Sequence, residues 1–111
     1  MADKIVRTFG PAAFAASAAN VYNPASALVD DVITHIHVVN TVAGAATFSL
    51  YVSQVTGTET AGKEMFVAQP IAGFGVYDWY GRLRLGHADF LVGHASAVTV
   101  SIMGEGVQIV V

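Results

Sequence analysis

From residue 31 to the end of the chain, apolar residues recur at alternate positions, and β-branched and aromatic types fill many of them. Period two belongs to strands with one buried face, whereas a helix repeats every three to four residues. In Asp31 to Asn40 the alternation places Val32, Thr34, Ile36 and Val38 on one face and Ile33, His35, His37 and Val39 on the other. Thr47 to Val55 sends Phe48, Leu50 and Val52 inward and Thr47, Ser49, Tyr51 and Ser53 outward. With Asn40 to Ala45 as the turn, the two runs are expected to pair as a hairpin.

The same pattern extends through the rest of the chain. Gly57 to Gly62 is a polar turn, and Lys63 to Ile71 is a strand that Pro70 should end, because proline cannot donate to a ladder. Val76 to Leu85 sets Tyr77, Trp79, Leu83 and Leu85 on a core face, with Asp78, Tyr80, Arg82 and Arg84 opposite. A short strand over Asp89 to Gly93 precedes a last one over Ala97 to Met103 and Val107 to Val111, with Gly104-Glu105-Gly106 read as a bulge or tight bend. Pro11 to Ala19 is alanine-rich, but no long helix is expected. Asp3 to Phe9 reads as an edge strand, and Ser17 to Tyr22 as a segment ending at the Asn23-Pro24 turn. Seven or eight short strands in one domain, residues 1–111, predict an all-β fold. The architecture expected is an antiparallel β-sandwich, with a jelly roll among the arrangements open to it.

Composition narrows the function. There is no cysteine, hence no disulfide framework and no thiolate metal site. The residues are 54% hydrophobic but only 12% charged, about half the usual charged share. Something besides water should therefore cover part of the surface. Contacts of more than about 1,000 Å² with neighbouring chains are expected. Residues 1–30 are the expected partner-contacting segment, and loss of residues 2–16 should leave a β-rich fold. No apolar run approaches the roughly 20 residues of a spanning helix, so no membrane partner is expected. Met1 to Arg7 lacks the apolar core of a secretory signal, which predicts assembly in a cytoplasm. The net charge is −3, and Lys4, Arg7, Lys63, Arg82 and Arg84 form no dense basic patch, so direct nucleic-acid binding is not expected.

His35-x-His37 is the one pairing with metal-site character, since residues two apart on a strand share a face. Zinc needs three or four ligands, and no spacing brings His87, His94 or Asp89 to that pair. Exposed or interfacial histidines with no bound metal are the expectation. Asp30 and Asp31 face opposite ways on a strand, Asp78 and Asp89 have no pairing signal, and Ser96 lies in no nucleophile elbow. Gly73-Phe74-Gly75 and Gly104-Glu105-Gly106 lack the strand-to-helix setting of a phosphate loop. No catalytic, cofactor-binding or metal residue and no cofactor are therefore predicted, and the chain does not read as an enzyme.

The series Ile33 to Thr41, followed by Ala45 to Val52, resembles the strand, Asn-Thr turn and amphipathic strand of small structural proteins of tailed bacteriophage virions. Leu85-Gly86 with Asp89-Phe90-Leu91, then Ala95 to Ser101 and Gly104 to Val107, resemble the closing strands of the same proteins. The resemblance spans residues 31 to 111. It implies a β-sandwich virion protein, most often a head decoration protein that binds and stabilises the major capsid protein lattice as a homo-oligomer, such as a trimer. A tail or fibre module is the nearest alternative. From another class, a carbohydrate-binding module using the exposed Tyr80 is the remaining one.

Overall fold

The computed structural model describes residues 4–24 and 26–110. Eight strands form: β1 (Lys4–Ala13), β2 (Ala19–Tyr22), β3 (Val29–Asn40), β4 (Ala46–Ser53), β5 (Glu64–Ile71), β6 (Val76–Leu85), β7 (Phe90–Ala95) and β8 (Val100–Val110). They build two four-stranded sheets with orders β1-β8-β3-β6 and β2-β7-β4-β5, every pair antiparallel. The expected starts and ends at Ala2, Asp3 and Val111 lie outside the described residues.

The sheets stack face to face over one core. Ile33, Ile36, Val38, Leu85 and Ile102 from the first sheet meet Phe48, Leu50, Leu91 and Ala95 from the second, all essentially inaccessible to solvent. Phe48 is central, its ring stacked on Phe14 at 5.8 Å and near Phe66 and Tyr77 at 5.4 and 5.7 Å. Tyr77, Trp79 and Leu83 pack on the rim of this core, as the alternation of β6 requires. Trp79→Ala is expected to cost about 3 kcal/mol, the low end for a truncated aromatic, because the indole is only partly buried. An unchanged urea midpoint would contradict this.

Four sequence expectations are corrected. β3 and β4 are not a hairpin: β3 lies between β8 and β6, and β4 lies between β7 and β5 in the opposite sheet. The hairpin within one sheet is β4–β5. In β3 a register shift between Ile33 and His35, seen against both neighbours, inserts one residue and turns Ile33 onto the core face with Ile36 and Val38. β5 ends at Ile71, one residue past Pro70, as expected, and Pro70 is tolerated within it because β5 is an edge strand, where a missing donor breaks no ladder. β8 passes straight through Gly104-Glu105-Gly106. A side chain at Gly104 would lie 2.2 Å from the Phe9 ring, and one at Gly106 would lie 1.9 Å from the Val32 carbonyl, so both positions serve close approach. Last, the N-terminal residues are no separable arm. β1 pairs with β8 along its length, and Phe9 and Phe14 belong to the core, so removing residues 2–16 would strip a sheet edge and open the interior.

Candidate functional site

Two places on the sandwich gather side chains that packing alone does not demand. The first is one end of the molecule, where the β3–β4, β5–β6 and β7–β8 connections meet. The Phe74 amide donates to the Val42 carbonyl at 2.8 Å, and the Thr41 amide donates to the Thr99 carbonyl at 3.1 Å. Buried Asn40 braces these loops, its side-chain amide donating to Gly44 and Ala72 carbonyls at 2.7 and 3.3 Å. On this hydrogen-bonded base Val42, Phe74, Val76 and Val98 stand 40%, 70%, 58% and 63% exposed. Phe74 also holds a φ of +53°, a left-handed conformation that an aromatic residue adopts at a cost of about 1 to 3 kcal/mol.

The second place is the outer face of the first sheet. His35 and His37 project from β3, opposite Glu105 of β8 and Asp78 of β6. Asp78 Oδ1 lies 2.7 Å from both His35 Nε2 and His37 Nδ1, while Glu105 Oε1 lies 2.9 Å from His35 Nδ1. The Tyr80 ring stacks on the His35 imidazole at 4.5 Å and 3°. The Asp78 hydrogen bond, reinforced by Glu105, holds the His35 imidazole above its ordinary pKa. Donation from His37 and then His35 holds the Asp78 carboxyl below its own. None of the three groups weighed from the sequence, His87, His94 and Asp89, is the one that joins the histidine pair. The carboxylate comes from the paired strand, 41 residues beyond His37.

The remaining sequence candidates are dispersed. The His87 Nδ1 bonds the Pro24 carbonyl at 2.7 Å, His94 pairs with Glu59, and Asp89 accepts from the Gly86 amide and the Gln54 side chain. Asp30 and Asp31 diverge as expected: Asp30 pairs with Arg84 at 2.7 Å, and Asp31 is fully buried, accepting from the Tyr22 hydroxyl. Burial, and then the bond to Asp31, push the Tyr22 pKa upward. Sequence reading missed this buried pair, because nothing in Asn-Val-Tyr marks a partner on another strand. Tyr22→Phe should cost about 1 to 3 kcal/mol by leaving a buried carboxyl without its donor, which differential scanning calorimetry would register. The cleft between the start of β2 and Phe14 is walled by alanines, Gly93 and Ile102, with Asn20 as its polar side chain and no titratable group.

Eight antiparallel strands in these two orders, with only the β4–β5 connection staying in one sheet, define a jelly-roll β-sandwich. No family model matches the sequence, and no curated protein matches it significantly. Among solved structures, the chain is similar to a protein in the structure of the infectious bursal disease virus Gx strain. The two are 7% identical with a TM-score of 0.39 over 98% of this chain and 32% of that one. A pentameric capsid protein isolated from metagenomic phage sequences aligns at 13% identity and a TM-score of 0.29, over 97% of this chain and 58% of that one. The chain therefore spans less than two thirds of each.

Proposed function

We propose that this chain is a virion structural protein, a head decoration protein of a tailed bacteriophage that binds the major capsid protein lattice as a homo-oligomer. The observation that carries the reading is the apolar tip. Four large apolar side chains stand on a hydrogen-bonded end of a jelly roll, one of them in a strained backbone conformation. Exposed apolar groups gathered at one end mark an interaction surface. Strain at an exposed aromatic persists where the surrounding structure enforces it, as at binding sites. The low charged fraction fits a surface covered by other subunits. Binding here means burial of apolar loop tips at repeated lattice contacts, where many linked sites turn weak single contacts into stable attachment.

Quantitative mass spectrometry of purified heads and tails tests this. The expected result is the chain in heads at a fixed ratio to the major capsid protein. Its presence only in tails would replace the head assignment with a tail role, and its absence from particles would end both. A carbohydrate-binding role through Tyr80, 73% exposed, is a weaker reading because one face of its ring is already taken by His35. Glycan-array binding lost in Tyr80→Ala would support it.

A further inference from the structure

We propose that His35, His37 and Asp78 bind a zinc-class divalent cation on the outer face of the first sheet, with Glu105 orienting His35. Their ligand atoms lie within 4.8 Å of one another; Asp78 is the register partner of His37, and His35 lies two positions along β3 on the same face. The backbone that places them is a central strand and its hydrogen-bonded neighbour, so the spacing is set by the sheet. Asp78 Oδ1 sits 2.7 Å from one nitrogen of each histidine. Tetrahedral zinc with bonds near 2.0 to 2.1 Å needs ligand atoms about 3.4 Å apart. The two Asp78 contacts need widen by less than about 1 Å, and the histidine nitrogens, no more than 4.8 Å apart, need approach by at most about 1.4 Å, within the reach of side-chain torsions at partly exposed positions.

The surroundings of His35 fit the same role. A metal-binding imidazole characteristically gives its other N–H to a carboxylate, which fixes tautomer and ring orientation. Here Glu105 accepts from His35 Nδ1–H, and Nε2, which donates to Asp78 while protonated, offers its lone pair at the same place once that proton leaves. Stacked Tyr80 restrains the ring plane. Two imidazoles with one carboxylate select zinc, nickel, cobalt or copper over calcium and magnesium, which require an oxygen shell. Asp78 and His37 keep about a third of their side-chain surface exposed, so water or a group from a neighbouring subunit can complete the shell.

The test uses the full chain stripped with chelator and titrated with zinc chloride by calorimetry at neutral pH. A parallel cobalt titration is followed by visible absorption. One ion per chain is expected, together with the cobalt d–d bands of a low-coordinate nitrogen and oxygen site. His37→Ala and Asp78→Asn should each weaken zinc binding by more than 100-fold, and Glu105→Gln by about 10- to 100-fold. His87→Ala, whose imidazole binds elsewhere, should leave affinity unchanged. Circular dichroism of each variant separates lost binding from lost fold, and the wild-type cobalt spectrum needs no variant at all. The proposal is overturned if the wild-type chain shows no saturable zinc binding, or if His37→Ala and Asp78→Asn retain wild-type affinity.

Discussion

Replacing Phe48 with alanine should lower the unfolding free energy by about 3 to 5 kcal/mol, a large share of what a domain of this size possesses. The ring is 1% exposed and lies between the sheets, in contact with Phe14, Phe66 and Tyr77, which come from three other parts of the chain. Alanine would leave a cavity that those rings can fill only by leaving their own contacts. Because β4 is held on both sides by β5 and β7, the backbone cannot collapse inward to close it. Urea denaturation followed by tyrosine and tryptophan fluorescence gives the measurement. A loss below about 1 kcal/mol would mean that the aromatic cluster is not the centre of the core.

At the tip, Phe74→Gly should separate stability from function. Glycine takes a φ of +53° without steric cost, so the variant should melt at or above the wild-type temperature, within about 1 kcal/mol. Yet it removes the most exposed aromatic of the tip, and its incorporation into particles should fall by an order of magnitude or more. Phe74→Asp should do the same through charge. Under the proposed decoration role the lever is large, because every copy on the lattice would lose the same contact and linked weak sites lose occupancy together. Particles that carry either variant at normal occupancy would remove the tip from the binding surface while leaving a virion location intact. Asn40→Ala should reverse the balance, lowering incorporation less than Phe74→Gly and stability more. It frees the braced loops and leaves two carbonyls without their donor, costing about 1 to 3 kcal/mol by thermal melting.

Alternation alone determined that the chain is all β, roughly where β3, β4 and β6 lie, and which side of β6 is buried, because side chains on a strand must alternate between faces. Tyr77, Trp79, Leu83 and Leu85 needed no tertiary information to be assigned inward, nor did Phe48 and Leu50. The same rule could not say which strand is bonded to which. A strand crossing to the other sheet has the same one-sided pattern as a strand returning beside its predecessor, so β3 and β4 read as a hairpin when they face each other across the core. It also could not register a bulge: the extra residue near Thr34 reverses parity, so alternation groups Ile33 with His35 and His37 although Ile33 points into the core and the histidines do not. The His35, His37, Asp78 and Glu105 cluster depends on strand order for the same reason. Two histidines two residues apart are visible in the chain, but their carboxylates arrive from β6 and β8, and only antiparallel pairing on both sides of β3 brings positions 43 and 70 residues away to hydrogen-bonding distance.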